Sequence, residues 1–524
     1  MVPDLDARAL ALRAEQLCIA GRAAECGWFA MQALEFDPDD VLALKIAGVA
    51  ACMQGDYPAG LVYLERAEAL APSDKDVHFN LAVALERTGC PERAALSYRN
   101  CLRLQPDHAD ALWNYSEFLR LNEHFELASQ CLEALEQAGR FYTGLHHRMG
   151  VVYTHLRRYD DARRHFELAM EDAADTRLTR WERSHFLLAT GDFEQGWRDY
   201  DTRFDIGHVI NVHCHPFPFP LWRGEALDGR TLLIHGEQGL GDEMMFASTI
   251  PELMLQGGRI VLACAPSLVT VFRHAFPAAI VRAHRVGAAP AWIGDLGTID
   301  WQIPIGSLPR RLRSTTDSFG TGGPYLKADP DKVAWFGARL DALSRSPSRD
   351  DGLKVGVMWG SNPAAAVPFA ARRATRKSIP LPLLAPLAEL QNVRYVSLQN
   401  VELGEQAATV PDLDLIDFSR ALKDFSDTAA LVANLDAVVT VDTSVAHLSA
   451  ALGKPTYVLL MRHCDWRFGY EGDRCVWYPS MTLLRQTTQG DWRPVVDQAI
   501  DALKRHPRRT KSGETSRESG YAVE

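Results

Sequence analysis

The chain has 524 residues, 47% of them apolar and 23% charged, a composition that builds ordinary globular cores and a length that holds two or three domains. Its net charge of −11, from 67 acidic against 56 basic residues, leaves no domain with the basic surface a nucleic-acid backbone requires. Ten cysteines without a CxxC pair suit a reducing compartment, the acidic start MVPDLDARAL does not read as a signal peptide, and no apolar run approaches a membrane span, so a cytoplasmic protein is expected.

The first two hundred residues repeat. Pro38, Pro72 and Pro106 lie 34 residues apart, each closing a helix-like run. Three further columns keep the register: Gly48, Ala82, Ser116, Gly150 and Ser184; Gly60, Ala94, Ala128, Ala162 and Gly196; and Ala33, Ala67, Cys101, Leu135 and Ala169. Tyr57, Phe125, Tyr159 and Phe193 form an aromatic column, broken by Pro91. Small residues where paired helices cross, an aromatic at the turn and a proline at the unit's end make the tetratricopeptide signature. Such units bury their apolar stripes only against one another and form a solenoid with a concave groove. A protein or peptide partner in that groove is expected, with homo-oligomerisation or capping of the next domain as the alternatives. Trp113, Asn114 and Tyr115 are candidates for its lining or for its core.

The stretch from Ile210 to Trp222, INVHCHPFPFPLW, alternates proline and phenylalanine and reads as an ordered linker. His213, Cys214 and His215 have the look of metal ligands, but no second pair follows at zinc-site spacing, and a plain linker is the better reading.

The C-terminal half alternates strands and helices. Thr231–His235 reads as a strand, followed by the loop GEQGLGD (236–242), a helix from about Glu243 to Leu255 and a strand at Ile260–Cys264. A charged, serine-rich linker near Ser344–Asp351 precedes strands at Lys354–Trp359, Tyr395–Leu398, Ala437–Val441 and Tyr457–Leu460. Two Rossmann-like domains facing across a cleft, the GT-B architecture, follow from this order. The loop GEQGLGD has neither the dinucleotide nor the Walker glycine order, and it sets Asp242 at a helix start, either as an N-cap or as a general base. After the buried strand Ala437–Val441, the N-cap residues Asp442, Thr443 and Ser444 open a helix that Gly453 and Pro455 end. Free N–H groups, hydroxyls and the His447 imidazole at such a helix start can hold an anion such as phosphate. Arg372, Arg373, Arg376 and Lys377 form a basic loop that fits the same anion or a solvated surface. Asp412 and Asp414 read as a solvated turn rather than a metal pair.

With those residues in hand, 228 to about 505 resembles the heptosyltransferase-like glycosyltransferases of family 9, in the version fused to tetratricopeptide repeats. The motifs are GEQGLGDEMMFAS, VGVMWGSNP, RKSIPL, VSLQ, DFSDTAALVANLDAVVTVDTSVAHLSAALGKP and DWRFGYEGDRCVWYPSM, with GDFEQGWRDYDTRF and PLWRGEALDGRTLL upstream. In arrangement the chain is also similar, more distantly, to O-GlcNAc transferase. The resemblance implies an inverting transfer from a nucleotide-sugar, bound mainly by the C-terminal domain, to an acceptor bound mainly by the N-terminal one, without a metal or other cofactor. It implies Asp242 as the base, and Thr443, Ser444, His447, Arg376 and Lys377 on the donor diphosphate. Trp359, Asn362, Gln399, Asp442, Asp465 and Trp466 are candidates for the nucleotide or sugar pocket, and Glu237, Gln238, Gly239 and Gly241 for the acceptor-side loop. Heptosyltransferases usually carry glycines where this chain has Ser444-Val445-Ala446, so ADP-heptose does not follow as the donor.

The expected architecture is α plus α/β: a repeat solenoid at 5–204, a linker at 205–227, GT-B domains at 228–345 and 352–505, and a disordered tail at 506–524. The expected function is sugar transfer to a protein presented by the repeats. A non-catalytic repeat scaffold with a degenerate transferase domain and a transferase for a lipopolysaccharide or other glycan acceptor are the alternatives.

Overall fold

Each 34-residue period folds as a pair of packed helices. In the computed structural model they are Ala7–Ile19 (α1), Ala23–Phe36 (α2), Val41–Met53 (α3), Tyr57–Leu70 (α4), Lys75–Arg87 (α5), Pro91–Leu104 (α6), Ala109–Leu121 (α7), Phe125–Gln137 (α8), Leu145–His155 (α9), Tyr159–Asp172 (α10), Arg177–Ala189 (α11) and Phe193–Tyr200 (α12). The structure describes residues 6–172, 176–207, 212, 217–285, 290–320, 323–343, 352–361 and 375–507. They fall into two compact units, Met1–Thr179 and Arg180–Glu524.

Within the repeats, the carboxylates of Asp6, Asp40, Asp56 and Asp74 each accept a first-turn N–H, which satisfies donors a helix start otherwise leaves free. The small-residue columns mark where backbones touch. A Cβ at position 48 would stand 3.1 Å from Gly60 O, and one at position 60 would stand 3.0 Å from Gly48 O. Ser116 and Ser184, in the first column, are fully buried and turn their hydroxyls back onto Trp113 O and Trp181 O, both at 2.7 Å. Tyr115 is buried and stacks on Tyr98, whereas Trp113 is half-buried, stacked on Tyr142 and capped by the Arg148 guanidinium at 3.4 Å.

In the C-terminal unit, four parallel strands, Thr231–His235 (β1), Arg259–Cys264 (β2), Ile280–Ala283 (β3) and Trp301–Pro304 (β4), lie in the order β3-β2-β1-β4. The linker's end joins this sheet through a parallel bridge from Leu221 to Gln302, with Trp222 buried behind it. His213, Cys214 and His215 lie outside the described residues. The second sheet contains Leu353–Met358 (β5), Val393–Ser397 (β6), Ile416–Asp417 (β7), Ala437–Val441 (β8), Thr456–Leu460 (β9), Arg474–Cys475 (β10) and Tyr478–Arg485 (β11). Its order is β10-β11-β9-β8-β5-β6-β7, parallel except where β10 meets β11. Strands β1 and β8 are buried at every position, as strands covered on both faces must be, and their polar residues Thr231, His235 and Thr440 are buried with them.

Two expectations change. The helix after β1 starts earlier, at Leu240, and ends at Phe246 (α13), and a tight turn at Ala247–Thr249 separates it from a short helix at Ile250–Met254. Pro251 lacks the N–H that a continuous helix needs and its ring crowds the preceding turn, which accounts for the break. The two sheets also share material instead of only facing across an open cleft. After Val269–Ala275 (α14), Pro330–Leu343 (α15) and Phe425–Ala433 (α16) comes Ser444–Ala451 (α17), on which helix α13 packs directly, and one apolar core runs through Met244, Phe246, Ala446, Leu448, Phe468 and Trp477. Helices α11 and α12 keep the columns' Ser184 and Gly196, while their Leu188, Phe193, Trp197 and Tyr200 enter that same core. The linker at 344–351 and the tail beyond 507 lie outside the described residues.

Candidate active site

Strand β8 delivers Asp442 and Thr443 to its carboxyl end, and α17 begins at Ser444. Thr443 is the N-cap, but its side chain does not cap. Its hydroxyl turns into the protein, 3.1 Å from Thr440 Oγ1 and 3.4 Å from Met358 Sδ, so its expected place on the donor diphosphate is not what the side chain occupies. The first turn of α17 therefore keeps its N–H groups uncapped by a side chain, the arrangement that favours an anion. Ser444 is half-exposed, and among the described residues its hydroxyl makes no hydrogen bond. Lys377 reaches the same edge, its Nζ 3.5 Å from Asp442 Oδ2. The helix closes as expected: Gly453 has φ of 76°, and the Gly453 and Lys454 N–H groups donate to Ala450 O and Ser449 O.

Asp242 is not an N-cap. It is the third residue of α13, and its Oδ2 accepts the N–H of Gly239, the true N-cap, at 3.0 Å. Its Oδ1 pairs with Arg467 Nη2 at 2.5 Å. The same guanidinium donates to Asp465 Oδ1 at 2.8 Å and to Gln238 Oε1 at 3.3 Å, and lies over the Trp466 ring at 4.6 Å. Burial works against the Arg467 charge, and the Asp242 and Asp465 carboxylates more than offset it, holding this arginine well above its ordinary pKa. Gln238 also accepts from Tyr200 at 3.0 Å. Glu237, expected at the acceptor face, is turned inward instead: both oxygens pair with the fully buried Arg203 guanidinium at 2.7 and 3.0 Å, and Oε1 also takes the Gly306 N–H. This pair fixes the loop from beneath.

The two halves meet at Gly241. A Cβ there would stand 2.9 Å from His447 Cδ2 and 3.6 Å from Ser444 Cα, so glycine is what lets the loop carrying Asp242 seat on the start of α17. His447 is buried, and its Nδ1 lies 3.1 Å from the Tyr478 hydroxyl, which in turn lies 3.3 Å from that of Tyr325. Burial lowers the His447 pKa, with Asp442 and Asp242 opposing. Beside Asp242, Glu243 is buried at the ends of β1 and β2, where it accepts only the Ala265 N–H, at 3.0 Å, among the described residues, and burial pushes its pKa up to about 8.

Other candidates serve as supports. Trp359 is 1% exposed in the core beside β5, its indole N–H on Gln406, and is not a pocket wall. Gln399 clamps Gly360 by accepting its N–H at 3.2 Å and donating to its carbonyl at 3.1 Å. Asp465 caps the turn holding Arg467, and Trp466 is buried among Trp197, Tyr200 and His185. Arg376 stands one residue before Lys377 and is half-buried. Asn362, Arg372 and Arg373 lie outside the described residues. Asp412 and Asp414 are exposed, in a turn where Asp414 is left-handed. From the sequence Arg467 reads, with Asp465, Trp466 and Trp477, as one of four residues after β9 that shape a sugar or base pocket; its pairing with Asp242 carried no signal there. Tyr200 and Glu243 carried none, because what distinguishes them is burial.

A two-helix repeat of 34 residues followed by two mainly parallel α/β sheets, with an anion-ready helix start against a carboxylate loop, defines a tetratricopeptide-like repeat protein whose C-terminal unit is consistent with the GT-B architecture. Residues 423–466, from the turn before α17's neighbouring helix to Trp466, match the model for glycosyltransferase family 9 (heptosyltransferase). The chain thus joins helical repeats of 34-residue period to a unit of which residues 423–466 match that family. It is similar to protein FlbA of Caulobacter vibrioides, 27% identical over 527 residues, covering 91% of this chain and 86% of the relative. Among solved structures it is similar to pilF of Pseudomonas aeruginosa (16% identical, 39% of this chain and 90% of that one, TM-score 0.33). It is also similar to a tetratricopeptide repeat protein from Parabacteroides merdae (15% identical, 38% and 79%, TM-score 0.33). Among the described residues no helix is long and apolar enough to cross a membrane.

Proposed function

We propose that the C-terminal unit moves a sugar from a nucleotide-sugar to an acceptor hydroxyl with inversion and without a divalent metal, and that the acceptor is a protein engaged by the repeats. The observation that carries this reading is the seating of Gly241, beside Asp242, on His447 and Ser444, which sets a candidate base against a candidate diphosphate site. In the proposed step the acceptor O–H gives its proton to Asp242 as its oxygen attacks the anomeric carbon. The carbon–oxygen bond to the diphosphate breaks, and the electron pair leaves on the diphosphate. The α17 N–H groups, Ser444, His447 and Lys377 meet that growing charge, and they act best where water is excluded. Each Asp242 oxygen retains a lone pair beyond those given to Gly239 and Arg467, so the carboxylate can still take a proton.

A second reading, a non-catalytic scaffold, is favoured by the same contacts, since Asp242 and Lys377 are both held in ion pairs. A thermal-shift screen of nucleotide-sugars on the full chain separates the two, because a ligand that binds only the folded state raises the melting temperature. Asp242→Asn should leave that shift intact and lower turnover by roughly a hundredfold or more. No shift with any donor at saturation would favour the scaffold, and unchanged turnover would remove Asp242 from the chemistry. Activity that required added manganese would contradict the metal-free step.

A further inference from the structure

Away from the transferase unit, three side chains of the repeats converge: Glu136 near the end of α8, His146 at the start of α9 and His165 within α10. His146 Nδ1 and His165 Nδ1 are 3.1 Å apart, and Glu136 Oε1 is 4.0 Å from His146 Nδ1. One donor atom from each residue lies within 4.8 Å of the other two. Ligands that each hold an ion at about 2 Å set their donor atoms about 3 to 3.5 Å from one another in a tetrahedral shell. The two imidazole nitrogens already have that spacing, and the Glu136 side chain, 33% exposed, is free to close the remaining gap by rotation.

The site falls where the repeat loses its own fasteners. Position 140 continues the Pro38, Pro72, Pro106 column but is Arg140. Helices α3, α5 and α7 start on side-chain caps from Asp40, Asp74 and His108, whereas α9 starts on Gly144 at φ of 85° with no side-chain cap. The connection before α9 runs over residues 138–144, against 105–108 before α7. We propose that Glu136, His146 and His165 bind a zinc-class divalent cation that fastens α8, α9 and α10 across this joint. Two imidazoles and one carboxylate suit Zn²⁺ or Co²⁺ far better than Mg²⁺ or Ca²⁺, which take all-oxygen shells. The Tyr153 ring, its centroid 5.2 Å from that of His165, walls one side. The partly exposed Glu136 edge leaves the fourth position to water.

The test uses the full chain, stripped with a chelator and desalted, then titrated with Co²⁺ and read by visible d–d absorption. One equivalent should bind, Zn²⁺ should displace it, and Zn²⁺ should raise the melting temperature. Glu136→Gln and His146→Ala should each weaken Co²⁺ binding beyond the roughly 10- to 100-fold that loss of a mere supporting partner brings. The more exposed Glu136 position keeps the test sound should His165→Ala fail to fold, and metal-free Glu136→Gln should melt with the metal-free parent. Absence of a Co²⁺ band would overturn the proposal. So would a band that survives in the Glu136→Gln/His146→Ala double variant, which would place the ion elsewhere, for instance on His213, Cys214 and His215.

Discussion

Replacing Glu243 by glutamine removes a carboxyl that burial holds above its ordinary pKa, next in sequence to Asp242. The carboxyl is 5% exposed, and among the described residues its hydrogen bond is the one from Ala265 N–H, so charging it means placing an anion in an apolar setting with a single donor. Its pKa rises from 4.5 to about 8 in the folded chain. A carboxyl raised on folding stabilises below its unfolded value, and that contribution is lost as pH climbs through the folded value. At about 1.4 kcal/mol per pH unit, the interval from 4.5 to about 8 amounts to about 5 kcal/mol lost by pH 9, and about 3 kcal/mol lost at pH 7. Glutamine keeps the shape and an acceptor for the Ala265 N–H but cannot ionise. Urea unfolding of parent and Glu243→Gln from pH 4.5 to 9 should therefore give curves whose difference grows in the variant's favour across that window. Parallel curves would mean that Glu243 is as readily charged in the folded chain as in the unfolded one, and the argument from burial would fail.

Ser444→Ala should weaken nucleoside-diphosphate binding by about ten- to a hundredfold, the scale of one hydrogen bond to a charged group, with the melting temperature unchanged; equal affinity by titration calorimetry removes Ser444 from the site. His447→Ala should lose affinity to a similar degree but also melt earlier, because the ring bonds Tyr478 and seats against Gly241. Arg467→Met leaves Asp242 and Asp465 without their shared cation and should cost about 3 kcal/mol in urea unfolding; a variant as stable as the parent would show that this cluster does not hold the loop. Gly453→Ala forces a side chain into φ of 76° with its Cβ 3.0 Å from Pro324 Cβ, and should lower stability by about 1 to 3 kcal/mol while sparing nucleotide affinity. A stable Gly453→Ala would mean that the helix end relaxes.

The features legible in the order of residues alone are local and periodic. A period of 34 written in small residues and prolines is that of paired helices, and the short, mainly apolar, β-branched runs at 231–235 and 437–441, bounded by loop and cap residues, read as strands covered on both faces. The positive φ at Gly453 follows from the same near-neighbour rules. Tertiary structure alone decided which polar groups are free to act. Asp242 meets Arg467, Glu237 meets Arg203, and Thr443 turns to Met358, partners brought together across long stretches of chain by the packing of α13 on α17 and of α12 into the core. Trp359 and Trp466 carry aromatic rings suited to a sugar pocket, yet both are buried. The physical reason is that backbone periodicity is set by residues three to four apart along a helix or two apart along a strand, whereas a side chain's charge state and availability depend on what the rest of the fold lays over it.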